Sequence, residues 1–296
     1  MKPASFEYLS PDSLDEALAA TAQHGADAKL LAGGQSLIPA MNFRVMQPAV
    51  LVDLNPLNEL SYVRPEDDGG LRIGAMTRLR RLERDPLVAA RVPLLYAALP
   101  HIAHTQIRTR ATVGGSLVHA DPAAELPVVT LALAARYRVQ NAAGSRWVDS
   151  SAFFRGFFDT AIESDEIMIE ISLPPMAART GCAFLEVARR KGDYAMAGVA
   201  AVITLDESGL CQHGRLVYLN LGDAPVDAKA AADLLIGERK SDELIETVAA
   251  RAADEEIMPI GNLHASIEYQ LHLARVLTWR ALLQAFVRAE KLSWVM

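Results

Sequence analysis

The chain has 296 residues, about twice the length of a typical domain, so two domains are expected. Apolar residues make up 51% and charged residues 22%, enough material for a large core, which excludes a disordered or fibrous chain. The net charge of −7, from 29 Lys and Arg against 36 Asp and Glu, leaves no broad basic surface for nucleic acid, and the two cysteines are too few for a disulfide framework, a cysteine-ligated zinc site or an iron–sulfur cluster.

In chain order, Leu14, Ala17, Leu18 and Ala22 recur at helical spacing behind Ser13, which forms a capping box with Glu16, and Gly25 stops the helix. Residues 28–32 read as a short buried strand running into Gly33-Gly34, and 49–54 read as another, closing a βαβ-like unit near residue 56. Strands at 60–63 and 71–75 flank the turn-rich PEDDGG. Thr77 caps a basic helical turn carrying Arg78, Arg80, Arg81 and Arg84, which reads as a solvated face or a contact for an acidic partner. Pro86 opens an apolar helix reaching Leu99, and 126–135 form the next helix. Strands at 137–140 and 166–173 follow. Pro174-Pro175 end the second strand because proline donates no ladder hydrogen bond.

A domain boundary is expected at that break, giving 1–176, with subdomains of about 1–56 and 57–176, and then 177–296. Past the boundary, strands at 182–189, 198–206 and 214–221 form an antiparallel meander, with Cys182 and Cys211 as small buried residues in adjacent strands. Helices at 227–236, 241–253 and 264 to about 289 complete the chain. The N-terminus has no apolar signal region and no apolar run reaches the ~18 residues of a membrane span, so a cytoplasmic chain without a membrane span is expected.

Two features carry chemistry. AGGQS at 32–36 sits where a strand hands over to a turn, and TVGGS at 112–116 again sets two glycines behind a β-branched residue among hydroxyls. Each alone reads first as a tight turn with no ligand and second as a nest of amides around an anion. Two such segments suit the two phosphates of a dinucleotide, yet neither is a G-x-G-x-x-G with an acidic residue at the distance a Rossmann unit needs. His101 and His104 share a helical spacing but lack a third ligand, so they read as a polar cap and no metal is expected. Arg108 and Arg110 read either as phosphate partners or as a solvated face.

AGGQSLIPAMNFR at 32–44, QIRTRATVGGSLVHADPAAELP at 106–127 and ARRKGDYAMAGVAA at 188–201 together resemble the FAD-binding medium subunit of the xanthine oxidase and carbon monoxide dehydrogenase family of molybdenum hydroxylases. The likeness spans essentially the whole chain. It implies an α+β fold, a two-part FAD-binding domain of the vanillyl-alcohol-oxidase-like type followed by a C-terminal domain with a three-stranded antiparallel sheet and helices. It also implies that Ala32, Gly33, Gly34, Gln35 and Ser36 form one diphosphate segment, and Thr112, Val113, Gly114, Gly115 and Ser116 the other. By the same resemblance Lys29 is a flavin-contacting position, Asp121 and Glu125 lie near polar flavin atoms, Ile167 packs on the cofactor and Tyr194 covers one face of the ring.

The implied role is electron transfer: a molybdenum cofactor on a large subunit and two 2Fe–2S clusters on a small subunit feed this FAD, which passes electrons to an external acceptor. The implied assembly is a dimer of heterotrimers, and no residue of this chain need act as a catalytic acid or base. Relatives that reduce benzoyl-CoA-type substrates carry a cysteine-rich insertion that this chain lacks. A self-contained FAD-dependent oxidoreductase, with a substrate pocket built by the C-terminal domain, is the alternative, and a cofactor-free assembly module is a second. The absence of histidine or cysteine from both glycine segments points to non-covalent FAD.

Overall fold

The computed structural model describes residues 2–291; Met1 and residues 292–296, the outer ends of the two expected domains, lie outside the described residues. The chain opens with β1 (Glu7–Leu9), α1 (Leu14–His24), β2 (Ala28–Leu31), α2 (Leu37–Asn42) and β3 (Val50–Asp53). The strands form a parallel sheet in the order β1-β3-β2. Ser13 caps α1 as expected, its hydroxyl accepting the Glu16 N–H at 3.2 Å, while the Glu16 carboxylate accepts the N–H of Asp12 rather than that of Ser13. Ala17 and Leu18 of α1 pack with Val50, Val52 and Ile167 to form one core. β1 and α2 carry no strong sequence signal: β1 is three mostly exposed residues, and α2 is six residues with a proline inside.

The second unit runs β4 (Val63–Pro65), β5 (Leu71–Gly74), α3 (Leu79–Leu82), α4 (Pro86–Arg91), α5 (Pro93–Ala98), α6 (Thr105–Arg108), α7 (Val113–His119) and α8 (Glu125–Ala132). It continues with β6 (Arg136–Asn141), β7 (Gly144–Asp149), the small hairpin β8 (Phe154–Gly156) and β9 (Asp159–Thr160), and β10 (Ile167–Leu173). Its sheet is antiparallel in the order β4-β5-β10-β6-β7. Three expectations change here. The helix from Pro86 to Leu99 breaks in two, because Pro93 holds Val92 outside helical geometry (φ −135°, ψ 62°). Thr77 does not cap the basic turn; its hydroxyl donates to the Tyr62 carbonyl and accepts the Tyr62 N–H, and Arg78 takes the capping position. The strand expected at 60–63 begins only at Val63, after a short 3₁₀ turn.

The last unit has three long antiparallel strands, β11 (Thr180–Ala188), β12 (Ala195–Leu205) and β13 (Cys211–Leu219), with a two-residue fourth, β14 (Val226–Asp227). Helices α9 (Lys229–Asp233), α10 (Asp242–Arg251) and α11 (Ile267–Glu290) follow. β12 reads AMAGVAAVITL with no polar alternation because both its faces are covered. Ala197, Val199, Ala201 and Ile203 face the core built with α10 and α11, while Ala200 and Val202 join the core that holds Leu94, Leu95, Leu126 and Val129 of α5 and α8. At Gly181 a Cβ would stand 1.9 Å from the Ala285 carbonyl, so only glycine lets α11 lie this close to β11. Cys182 and Cys211 are buried and free, but they lie on β11 and β13, separated by β12, rather than on adjacent strands. Burial pushes the Cys182 thiol up to about 12. The sheet therefore docks on α5 and α8 of the second unit and carries the 189–194 turn against Ala103 and His104.

Candidate cofactor site

The first glycine segment links β2 to α2. Among the described residues, the backbone N–H groups of Gly33, Gly34, Gln35 and Ser36 donate to no protein acceptor. Gly34 holds φ at +71°, a left-handed turn that side-chain-bearing residues resist. The segment borders a cavity of about 370 Å³ whose lining includes Gly33, Gly34, Gln35, Ile38, Asn55 and Arg110. Four successive unpaired amides around a glycine turn, beside an arginine, fit an anion of diphosphate size.

The second segment is built differently from the expected amide loop. Thr112 is the N-cap of α7, its hydroxyl accepting the Gly115 N–H at 3.1 Å. The amides of Val113, Gly114 and Ser116 are likewise engaged, with the carbonyls of Thr77, Ala75 and Thr112. Its glycines serve close packing: a Cβ on Gly114 would lie 2.7 Å from the Ala75 Cβ, and one on Gly115 2.8 Å from the Thr112 hydroxyl. Thr112, Val113 and Gly114 are buried, so Gly115 and Ser116 are the members that reach the surface. A Gly115 Cβ would also stand 3.4 Å from the Ala32 Cβ, which places the two segments side by side.

A hydrogen-bonded network holds this arrangement. Asn55 donates from Nδ2 to the Ala32 carbonyl at 3.0 Å, and its Oδ1 accepts from Arg78 Nη2 at 2.5 Å. Arg78 Nη1 donates to the Arg110 carbonyl. Asp53 accepts the Asn55 backbone N–H at 2.9 Å and the Tyr8 hydroxyl at 2.5 Å. The Arg78 guanidinium is held below its ordinary value, first by burial and then by the charge of Arg110. Arg110, one of whose two expected readings is a phosphate partner, lines the cavity, whereas Asn55 and Arg78 have no local sequence signal for the site, because they meet their partners only through contacts more than twenty positions apart.

A second cluster forms where the C-terminal sheet meets α8. Glu125 begins α8 and is buried; its carboxyl is pushed up to about 8, chiefly by burial and next by the charge of Glu186. Asp121 accepts the Ala123 N–H at 2.9 Å and lies within electrostatic reach of Glu125. Tyr194 is 70% exposed, and its phenol is raised by local desolvation and then by Asp121 and Glu125, so the structure brings these three expected residues together. Glu186, which the sequence reading missed, joins them. Its Oε1 lies 3.1 Å from His101 Nδ1, while its buried Oε2 has no partner among the described residues. An orphaned buried carboxylate oxygen calls for a donor, and the N–H of a flavin ring is such a donor. His101 thus contacts a carboxylate, and the phosphate and solvated-face readings of Arg108 both fail: it is buried and paired with Glu83 at 3.0 Å.

Two expected positions fall elsewhere. Lys29 is exposed on β2 and does not line the cavity. Ile167 is fully buried in the first core, against which Ala32 packs, so it supports the first segment from below.

A family described as the FAD binding domain in molybdopterin dehydrogenase matches residues 4–176, and one described as the CO dehydrogenase flavoprotein C-terminal domain matches residues 182–285. The chain belongs to the FAD-binding medium subunits of the molybdenum hydroxylases. The chain is 40% identical over 289 residues to the 6-hydroxypseudooxynicotine dehydrogenase complex subunit alpha of Paenarthrobacter nicotinovorans, covering 98% of this chain and 97% of that one. It is 36% identical to the carbon monoxide dehydrogenase medium chain of Hydrogenophaga pseudoflava, covering 97% and 99%. A chain of the solved carbon monoxide dehydrogenase from that organism superposes with a TM-score of 0.94 at 38% identity, again covering 97% and 99%. The fold expectation therefore holds: an FAD-binding domain followed by the C-terminal domain of a medium subunit, in an oxidoreductase of this family. Among the described residues no helix is long and apolar enough to cross a membrane.

Proposed function

We propose that this chain holds FAD non-covalently and relays electrons within a molybdenum-dependent dehydrogenase, receiving them from 2Fe–2S clusters of a small subunit and delivering them to an external acceptor. The carrying observation is the row of unpaired amides at Gly33, Gly34, Gln35 and Ser36 beside Arg110. In this reading those amides and the Ser116 hydroxyl bind the diphosphate, while Glu125, Glu186 and Asp121 receive the polar edge of the ring and Tyr194 covers a face. Ile167 and the buried part of the second segment, Thr112, Val113 and Gly114, fix the backbone from behind. FAD, when bound, supplies the ability to take up electrons singly and release them in pairs. The chain's own residues bind, orient and desolvate.

The large subunit carrying the molybdenum cofactor, the pairing of two heterotrimers, the division at residue 176 and a cytoplasmic location belong to the same proposal. It is supported by the names of the relatives, which are subunits of dehydrogenase complexes, and by two buried free cysteines. The test is anaerobic. Flavin-loaded chain mixed with the organic substrate should stay oxidised, and should bleach when the molybdenum and iron–sulfur subunits are added. Rapid bleaching by substrate with no partner present would establish a self-contained oxidoreductase instead.

A further inference from the structure

We propose that Arg78, acting through Asn55, is a positioning residue that sets the separation of the two glycine segments and so the width of the diphosphate slot. The inference rests on the FAD-binding reading above and adds to it residues that neither segment contains.

The backbone around Arg78 is joined to the second segment on both sides. Leu79 N–H donates to the Ala111 carbonyl at 3.0 Å, Val113 N–H donates to the Thr77 carbonyl at 3.1 Å, and Arg78 pairs with Thr112 in an antiparallel bridge. From that anchored backbone the guanidinium forks. One nitrogen donates to the Arg110 carbonyl at the entry to the second segment, and the other donates to Asn55, which in turn donates to the Ala32 carbonyl at the start of the first. Asn55 is itself held by Asp53, and Asp53 by Tyr8, so a continuous chain of hydrogen bonds runs from β1 to the start of α7.

The fork matters because it reaches two acceptors at once in a fixed plane. A lysine ammonium at the same place is a point donor on a flexible stem and cannot hold both acceptors in that geometry. Charge points the same way. Arg78 and Arg110 place two guanidiniums within repulsive reach of each other, with Asp53 as the opposing charge, and this surplus of positive charge suits a doubly anionic diphosphate.

The experiment titrates FAD into the full, flavin-free chain by fluorescence quenching, for wild type, Arg78→Ala, Arg78→Lys and Asn55→Ala, and records thermal unfolding of each flavin-free chain. Arg78→Ala and Arg78→Lys should each weaken FAD binding roughly 10- to 100-fold, the cost of losing one or two charge-assisted hydrogen bonds, with Asn55→Ala near the lower end. Methylguanidinium at about 10 mM should restore part of the Arg78→Ala loss without moving its unfolding transition, a rescue that a general stabilising role would not show. The proposal is overturned by FAD affinities within twofold of wild type in all three variants. It is equally overturned if the binding loss follows the unfolding transition and methylguanidinium restores nothing. A wild-type chain that binds no FAD at all would instead overturn the functional reading, and the brace with it.

Discussion

The carbonyl oxygen of Arg110 lies 2.4 Å from the point a Cβ would occupy on Gly33, so the main chain leading into the second glycine segment packs directly on the first. Gly33→Ala must therefore push backbone apart, at a cost of about 3 kcal/mol, the upper range for overpacking. Gly34→Ala meets only the side chains of Ile38 and Leu31, at 3.1 and 3.2 Å, and its cost of about 1–2 kcal/mol comes from the positive φ. Both variants should lose FAD, and urea unfolding of the flavin-free chains should rank Gly33→Ala as the less stable. The reverse ranking contradicts the packing described here.

Gly115→Ala separates the two segments further. An added methyl there meets the Thr112 hydroxyl at 2.8 Å and so disturbs a helix cap, not a phosphate amide. A loss of about 1 kcal/mol in stability is expected, with FAD still bound. Complete loss of FAD with stability intact would restore the reading of this segment as an amide cradle.

How much of this was legible in the residues depends on distance along the chain. Ser13 capping α1, the long strands of the meander and the Pro174-Pro175 break follow from signals within a few positions of one another. The tight turn at Gly33-Gly34 follows from a signal equally local. In TVGGS two glycines after a β-branched residue read as a loop, whereas Thr112 makes them the first turn of a helix packed on Ala75. Asn55, Arg78 and Glu186 carried no local signal, since their partners are 23, 32 and 85 positions away in the chain. The hydrophobic spacing from Pro86 continues across Pro93, so the sequence signal does not mark the break there.

Glu125 gives the chain a pH signature. Its carboxyl rises from 4.5 to about 8 on folding, so between those values the folded chain holds a proton that the unfolded chain has released. Stability is therefore highest below the lower value and falls as pH rises through the window, by at most about 1.4 kcal/mol per pH unit, levelling off above pH 8. Glu125→Gln removes the slope: the variant should match wild type near pH 4.5 and exceed it near pH 8. Urea midpoints of flavin-free chains at the two pH values measure this, and a constant difference across the window contradicts it.

Arg108 and Glu83 form a largely buried pair. Burial alone would raise the Glu83 carboxyl, but hydrogen bonds from Arg108 and Arg80 hold it below its ordinary value. Arg108→Met strips away its main partner and should cost about 3–5 kcal/mol, while adding Glu83→Leu should recover part of that loss. Denaturant unfolding of single and double variants decides it, and a double variant less stable than the single one argues against the pair.

Tyr194 is exposed and, among the described residues, its side chain makes no hydrogen bond, its backbone N–H donating to the Asp193 carboxylate, so Tyr194→Ala should change stability by no more than about 0.5 kcal/mol. Its proposed place over the ring should instead appear in the flavin absorption envelope. Spectra that match wild type would remove it from the site.

Hydrogen exchange at single-residue resolution tests the central claim most directly, because the two glycine segments differ in how their amides are used. On binding FAD, the amides of Gly33, Gly34, Gln35 and Ser36, free of protein acceptors, should slow strongly, while those of Val113, Gly114, Gly115 and Ser116, already bonded within the protein, should change little. One equivalent of FAD bound with exchange at the first four amides unchanged would contradict the account.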